Sequence, residues 1–579
     1  MKTSGISVVC ILLVLGFILV PVVAQQAPQP TAAQPSAPQP SVQPATDQNA
    51  PVQVPESYIA RTKKQGAFLD MNLKDAIRLA LTNNLEIAIE DFNEDLNKQR
   101  IIGTRGFYDP RFTFSVGWRE TKRPSTNILD AGAGVPITTG DGLNFNTQLL
   151  QQVPGGGAFT LNFDNSRTSS NSTFQTFNPG VTSTLDFQFS QPVLKGFRQT
   201  QTERQLKVLN LDQKIADSVF EERVSTIVQQ VENQYWELVY AIENHETRRQ
   251  AMELAIVQHR NNQKRVEIGV MAPIEITKSR AAVANSEQDM ISSEVGIIEA
   301  QNNLKRLLAP DPKASIWNIS VIPSDLPEMK DLTLTLDQAI EKALQQRPEL
   351  AQARYRLEQN EVDRAYYKNQ GKPAVNLTAR MWNIGSAGDV YRTQLIDTDG
   401  DGVPDAKGSS VLDPAHPLYG RFGNAWGQAF GFDYLNYQVG VTIEMPFRNR
   451  ASEAERAQVV INERQLTSRM KNTQQTVMVD VRNAYESIYT RRKGWETSKV
   501  ARQLSEEQLA GENKRFEAGL STNFEVLEYQ RQLADAKVRE LRALIDYQRA
   551  LTSLQKAMYT IIDQNDIVVA RGQNGAATK

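Results

Sequence analysis

Beyond the first two dozen residues, apolar positions follow two rhythms. Over residues 199–268 they recur three and four apart, as in Val208, Leu211, Ile215 and Val219, then Val224, Ile227, Val228 and Val231. That spacing makes one apolar seam on a helix whose opposite face is polar. Hardly a glycine or proline interrupts the run, so it predicts a single helix roughly 100 Å long at 1.5 Å per residue. A second run of the same kind covers about 451–518. Helices this long, packed only through seams, predict a wall around a space and not a globular core. Elsewhere the rhythm is two. Phe112, Phe114, Val116 and Trp118 alternate with polar or small residues, as do Leu185, Phe187 and Phe189, and then Val439, Val441, Ile443 and Met445. Such strands suit a half-buried soluble sheet, or a sheet with lipid on one side and water on the other.

The two rhythms occur twice. Leu73-Lys74-Asp75-Ala76-Ile77 with Ala80-Leu81 returns as Leu336-Asp337-Gln338-Ala339-Ile340 with Ala343-Leu344, and Pro110 returns as Pro373. Further on Val231, Asn233, Tyr235, Lys264-Arg265, Gly269 and Leu304 return as Val481, Asn483, Tyr485, Lys514-Arg515, Gly519 and Leu554. The spacing between copies changes mainly between Pro110 and Val231, where strands and loops lie, and the helical parts align without gaps. Residues 71–310 and 333–562 are therefore two repeats joined by a linker over 311–332. Each reads as helix, strand, long loop, strand, very long helix, tip and return helix; a second hairpin, residues 143–150 with 159–163 around Pro154-Gly155-Gly156-Gly157, reads as an extension of the first repeat's loop. Two strands per repeat give four per chain, too few to close a barrel, and four strands in lipid would leave bare edges. Closure by several chains removes the edges, and three chains would supply twelve strands.

Composition narrows the picture. The formal charge is −2, which implies no nucleic-acid-binding face. No apolar run of helical-span length follows residue 24, so a polytopic helical membrane protein is excluded, whereas a β-barrel is not. Lys2, the apolar run Ile6–Val23 and the small residues through Ala24 predict a secretory signal over 1–24. The only cysteine, Cys10, lies inside that run, so the exported chain would hold no disulfide. Residues 25–55 carry eight of the 26 prolines with many Gln and Ala, and predict a disordered tether. Residues 563–579 predict a disordered tail. No nucleophile elbow, phosphate loop or dinucleotide fingerprint occurs, and His245 and His259 lie too far apart on one helix to share a metal. The expectation is a protein that is not an enzyme and needs no cofactor.

Taken in order, the Leu-x-x-Ala-Ile-x-x-Ala-Leu openings at 73–81 and 336–344, the Ser190-Gln191-Pro192-Val193-Leu194 turn with its counterpart Met445-Pro446-Phe447, and the Arg-x-x-x-Gly tips at Arg265/Gly269 and Arg515/Gly519 resemble the TolC family of outer-membrane efflux proteins. The resemblance implies a mainly α fold with a membrane β-barrel portion: duplicated long helical hairpins forming an α-barrel tunnel, and a twelve-stranded trimeric barrel. It implies a Gram-negative type outer membrane, a homotrimer in outer-membrane lipid, and a passive exit duct of a tripartite efflux or type I secretion system. A periplasmic adaptor and an inner-membrane pump would open and energise it. A periplasmic coiled-coil spacer or surface adhesin without a pore is the alternative, which would not need four alternating strands.

Four sets of residues are candidates for function. Arg265, Gly269, Val270, Arg515, Gly519 and Leu520 mark the two tips, where the resemblance implies adaptor docking; the glycines would equally serve as helix C-caps. Glu525 and Glu528 share a helix face and align with the acidic pair that constricts the family's mouth, where a ring of carboxylates would favour cations. Thr522-x-x-Glu525 is also a capping box. In the first repeat Glu275 matches Glu525, but Lys278 replaces the second acid. Asp397, Asp399, Asp401 and Asp405 around Gly402 follow the first part of a Ca²⁺ loop, without the acid expected at its twelfth position, so that any structural Ca²⁺ would be weakly held. Finally, Tyr419, Phe422, Trp426, Phe430, Phe432, Tyr434 and Tyr437 suit either a membrane-interface girdle or a small loop core.

Overall fold

The structure is a computed structural model that describes residues 54–126, 134–172, 175–329, 331–396, 402–403 and 406–567. The readings of residues 1–53 and 568–579, and of Asp397, Asp399, Asp401 and Asp405, lie outside these residues. The first repeat follows a short helix α1 (Tyr58–Gln65) and strand β1 (Phe68–Met71). It comprises α2 (Leu73–Asn83), α3 (Leu85–Arg105), β2 (Arg111–Pro124), β3 (Ile137–Val153), β4 (Gly157–Ser170), β5 (Phe177–Pro192), α4 (Gln201–Glu267) and α5 (Ile274–Leu308). After β6 (Ser320–Pro323), the second comprises α6 (Leu336–Gln346), α7 (Pro348–Gln370), β7 (Ala374–Ile396), β8 (Ala406–Leu412), α8 (Phe422–Gly431), β9 (Leu435–Glu444), α9 (Arg450–Glu517) and α10 (Asn523–Ala557), with α11 (Ile561–Gln564) at its end.

The repeat is visible down to single hydrogen bonds. Ala76 and Ala80, and their counterparts Ala339 and Ala343, are all fully buried, because only a methyl fits where the short helix lies against the long one. The Tyr235 hydroxyl donates to the Met71 carbonyl at 3.1 Å, and that of Tyr485 to the Leu334 carbonyl at 3.2 Å. Each tyrosine thus ties a long helix to the chain just before its own repeat's short helix. Long helices begin at side-chain caps: Thr200 and Glu203 form a capping box on α4, and Asn449 caps α9, each satisfying amides that the first turn leaves orphaned.

The helices form a wall whose order differs along its length. Nearest the strands it runs α3, α4, α7, α9; toward the tips it runs α5, α4, α10, α9. Helix α4 is flanked on both sides throughout, and α9 on one. The main core lies where α2, α4, α5 and α10 meet, around Ile77, Ile227, Val231, Leu238, Ile297, Leu304 and Ile545. A second core joins α6, α7, α9 and α10 around Ala339, Leu350, Val481 and Leu554. No helix among the described residues is long and apolar enough to cross a membrane.

The sheet departs from the expected four strands. Six lie side by side in the order β2-β3-β4-β5-β7-β9, and β8 extends β7 as a seventh. The additional pair is the β3–β4 hairpin. Its alternation, with Leu143, Phe145 and Leu149 on one strand and Phe159, Leu161 and Phe163 on the other, is legible, but the hairpin belongs to the sheet and does not extend the loop. It is inserted between β2 and β5 with unbroken antiparallel register, from Arg111 opposite Leu150 to Pro124 opposite Ile137, and from Ala158 opposite Ser190 to Thr168 opposite Gly180. Paired residues share a face. One face therefore collects Phe112, Phe114, Val116, Trp118, Phe145, Phe163, Leu185, Phe187, Met381, Val439 and Val441, and the other Thr113, Ser115, Asn146, Asn162, Asp164, Asp186, Gln188, Arg380 and Gln438.

Within 311–332, β6 pairs in parallel with β1 and stitches the start of the first repeat to its end. At the start of 563–579, Asn565 donates to Glu232 at 2.8 Å and Ile567 packs on the main core.

Candidate functional site

Both tips are built alike. At the first, Gly269 has φ 76°, its amide bonds the Val266 carbonyl, and the Val270 amide bonds the Arg265 carbonyl at 2.9 Å. At the second, Gly519 has φ 77°, with Leu520 bonded to the Arg515 carbonyl at 2.8 Å. This is the Schellman arrangement, and the left-handed backbone requires the glycine. The cap reading is therefore correct for both. Holding the turns this way leaves Ile268, Val270, Leu520 and Phe524 exposed, so each tip presents apolar side chains on a rigid turn. The tips also touch each other: the Arg265 guanidinium lies 4.5 Å from the Phe516 ring centroid. Gln258 donates to Asn523, and Asn523 to Glu275.

The acids are not equivalent. Thr522 caps the Glu525 amide, but the Glu525 carboxylate turns away from the cap to accept from the Ser521 hydroxyl at 2.8 Å, so only half of the capping box forms. The same hydroxyl faces the buried carboxylate of Glu512. The Ser521 hydrogen bond, with that to Glu512, holds the Glu525 carboxyl below the usual range. Glu528 is paired within its helix to Arg531 at 2.8 Å and to Gln532 at 3.0 Å, and the Arg531 hydrogen bond holds its carboxyl below the usual range. Glu275 is paired in the same way to Lys278 at 2.7 Å. Lys278, Glu528 and Arg531 line one groove of about 430 Å³ over α4, with Arg248 and Asp289. Two of the three predicted acids thus carry their own counter-charge, and Arg531 is the partner that the sequence reading missed.

At the other end, the aromatic residues divide. Phe422, Trp426 and Phe430 lie one turn apart on α8 and pack on Phe145 and Phe163 of the β3–β4 hairpin, with ring centroids 4.9–6.4 Å apart. The Trp426 indole donates to Asn165 at 2.7 Å, and Asn383 donates to the carbonyls of Gln428 and Ala429. Here α8 covers the polar side chains that interrupt the sheet's apolar face. Trp426 and Phe430 keep an exposed outer side, and Phe432, Tyr434 and Tyr437 are exposed too. The polar face carries a group that the sequence reading did not single out: Arg380 grips Asp186 through two nitrogens at 2.7 and 3.0 Å and stacks on Trp382 at 4.8 Å. Its signal was present, since Asp164, Asp186 and Arg380 fall at polar positions of alternating strands.

Comparison with known proteins gives the geometry its context. The family model described as outer membrane efflux protein matches residues 339–558. Curated proteins give no match. Among solved structures, the chain is similar to the CmeC outer membrane channel of Campylobacter jejuni (TM-score 0.58, 15% identity, covering 84% of this chain and 86% of that one). It is also similar to the outer membrane protein VceC of Vibrio cholerae (TM-score 0.55, 13% identity, 84% and 95%), and to the open state of the MtrE outer membrane channel of Neisseria gonorrhoeae (TM-score 0.52, 14% identity, 85% and 90%). At these identities the structures establish a shared fold.

Proposed function

We propose that the chain is an outer membrane efflux protein, the exit duct of a tripartite efflux or secretion system and a trimer in the outer membrane of a Gram-negative type cell; the match of that family's model to residues 339–558 supports the reading. Its β-strands cross the lipid and its helices form the tunnel beneath.

The observation that carries the assembly of several copies is burial that differs between equivalent positions. Leu211 and Val239 of α4 are 8% and 3% exposed, while their counterparts Ile461 and Tyr489 on α9 are 54% and 67% exposed. The return helices show the converse. Ile545 of α10 is fully buried against α4, while its counterpart Val295 on α5 is 53% exposed, in a stripe with Ile291 and Ile298. Helix α3 exposes Leu85, Ile89, Phe92 and Leu96, one face at helical spacing. The first repeat meets a neighbour on both sides of its long helix. The second lacks one neighbour on the α9 side, and α3 with α5 lack theirs on the other. The internal contacts of α4 with α7 and α10 are the template for contacts of α9 with the next copy's α3 and α5. Burying such stripes stabilises by about 25 cal/mol per Å² of apolar surface.

The paired charges at the tips support a mouth held shut by local contacts and opened by an adaptor that grips Val270 and Leu520, with the pump supplying energy. The groove with Lys278, Glu528 and Arg531 then faces the lumen. The decisive experiment is the mass of the detergent-purified protein together with planar-bilayer recording. A trimer with discrete channels is expected; a monomer without channels overturns the reading in favour of a spacer.

A further inference from the structure

We infer that copies of this chain close an eighteen-stranded barrel, six strands from each, in which the β3–β4 hairpin is a full part of the wall. The inference rests on the trimeric reading above and replaces twelve strands with eighteen.

Four features make the hairpin part of the wall and not an appendage. Its register with β2 and with β5 is unbroken. Its side chains divide between the apolar and polar faces as those of its neighbours do. Its turn is fastened to the helical wall: the Gly155 amide donates to Glu203 at 2.7 Å, the same carboxylate that completes the α4 capping box, and the Gly155 carbonyl accepts from Gln191 and from the Arg198 amide. A Cβ on Gly156 would meet the Gly196 carbonyl and Thr200 at 2.9 Å, so the close approach depends on glycine. Fourth, the second repeat's α8 packs its aromatic side chains against this hairpin.

Closure follows from count and tilt. Six is even and neighbours alternate in direction, so β9 of one copy lies antiparallel to β2 of the next, as a closed barrel requires. The apolar band is centred near Thr378 on β7 and near Ser115 on β2, whereas the register places Thr184, and through it Ile384, opposite the β2 centre. The band thus climbs about six residues across the sheet, a strand tilt of roughly 40° that matches closed barrels. The junction inside the chain gives the junction between chains. Phe189 of β5 faces Ala379 of β7. Their repeat counterparts, counted from Pro192/Pro446 and Pro110/Pro373, are Ile443 and Val116. Since diameter grows roughly with strand number, the wall is about half as wide again as one of twelve strands.

Cysteine pairs in the full-length protein test this, read by gel mobility and free-thiol count after mild oxidation, with each single variant as control. Val116→Cys/Phe145→Cys and Phe163→Cys/Leu185→Cys should link within one chain. Val116→Cys with Ile443→Cys, or with the neighbouring register Val441→Cys, should give covalent dimers and trimers. Linking of Val116→Cys/Ser183→Cys within a chain would set β2 directly against β5, leave the hairpin outside the wall and overturn the inference. A trimer by mass whose inter-chain pairs never link would also overturn it, while the duct reading stands. A protein that is monomeric by mass removes both.

Discussion

At the scale of single residues, the same tyrosine contact occurs in both repeats in different surroundings. Tyr235 is buried, and its hydroxyl bonds both the Met71 carbonyl and Asp325; burial pushes that hydroxyl's pKa far up. Tyr485 is half-buried and has the Leu334 carbonyl alone. Replacing a hydroxyl whose partners stay buried costs about 1–3 kcal/mol, against about 1 kcal/mol where water can substitute. Tyr235→Phe should therefore lower the unfolding midpoint in urea clearly more than Tyr485→Phe does, and equal shifts would refute the ranking. At the tips, Glu528 and Arg531 form an exposed pair of little stabilising value, but each masks the other's charge in the groove. Arg531→Ala should raise cation preference in bilayer recordings, and Glu528→Ala should lower it and weaken divalent-cation block. Unchanged reversal potentials in both would remove these residues from the permeation path. The acids were singled out by their shared helix face and by the resemblance to the family's acidic pair. Their partners were not, because an i, i+3 pairing competes with every other rotamer on an exposed face.

At the scale of elements, the long helices were legible to within two residues, since a 67-residue amphipathic run has no competing structure. The β3–β4 hairpin was legible as strands but not as part of the sheet, because alternation gives a strand's faces and says nothing of its neighbours. Helix α8 was missed: its three glycines in FGNAWGQAFG argue for a loop, and only the spacing of Phe422, Trp426 and Phe430 argued for a helix. Its seat depends on Gly385, where a Cβ would lie 1.8 Å from the Ala425 carbonyl oxygen. Gly385→Ala should displace α8 at a cost of about 1–3 kcal/mol, read as increased proteolysis within residues 421–434 of the otherwise folded protein. Helix α4 carries a pH dependence. His245 is buried beside the Ser293 hydroxyl at 2.9 Å and edge-on to Tyr58, with Glu294, Glu246 and Arg61 nearby. Burial lowers its pKa from 6.5, so the folded protein holds the neutral ring. Stability from this site is present above the unfolded pKa and is lost as pH falls through about 6.5, because the unfolded chain binds the extra proton. Comparing urea midpoints between pH 7.5 and 5, wild type should lose more stability than His245→Gln; parallel curves would show that the ring does not titrate on unfolding.

At the scale of the molecule, a duplicated sequence makes a wall with one internal seam of each kind and two open sides. How many copies such a wall would need to close was never in the hydrophobic pattern, which repeats identically whether a stripe meets its own chain or another. What the structure adds is which stripes have found a partner. Val295 and Ile545 occupy the same place in the two return helices, one exposed and one buried, so the same substitution reports on different events. Ile545→Asp places an unpaired charge in the main core and should destabilise the single chain by several kcal/mol, abolishing expression of folded protein. Val295→Asp should leave the chain folded, with wild-type helical content by circular dichroism, but desolvate its charge only when α5 meets the neighbouring α9. It should therefore convert the trimer to monomers by light scattering in detergent. Adding Tyr489→Lys on the facing helix, near the level that the template assigns to Val295, should restore part of the trimer by offsetting that charge across the seam. A Val295→Asp protein that remains fully trimeric would show that this stripe faces solvent, and the wall would have to close through other surfaces.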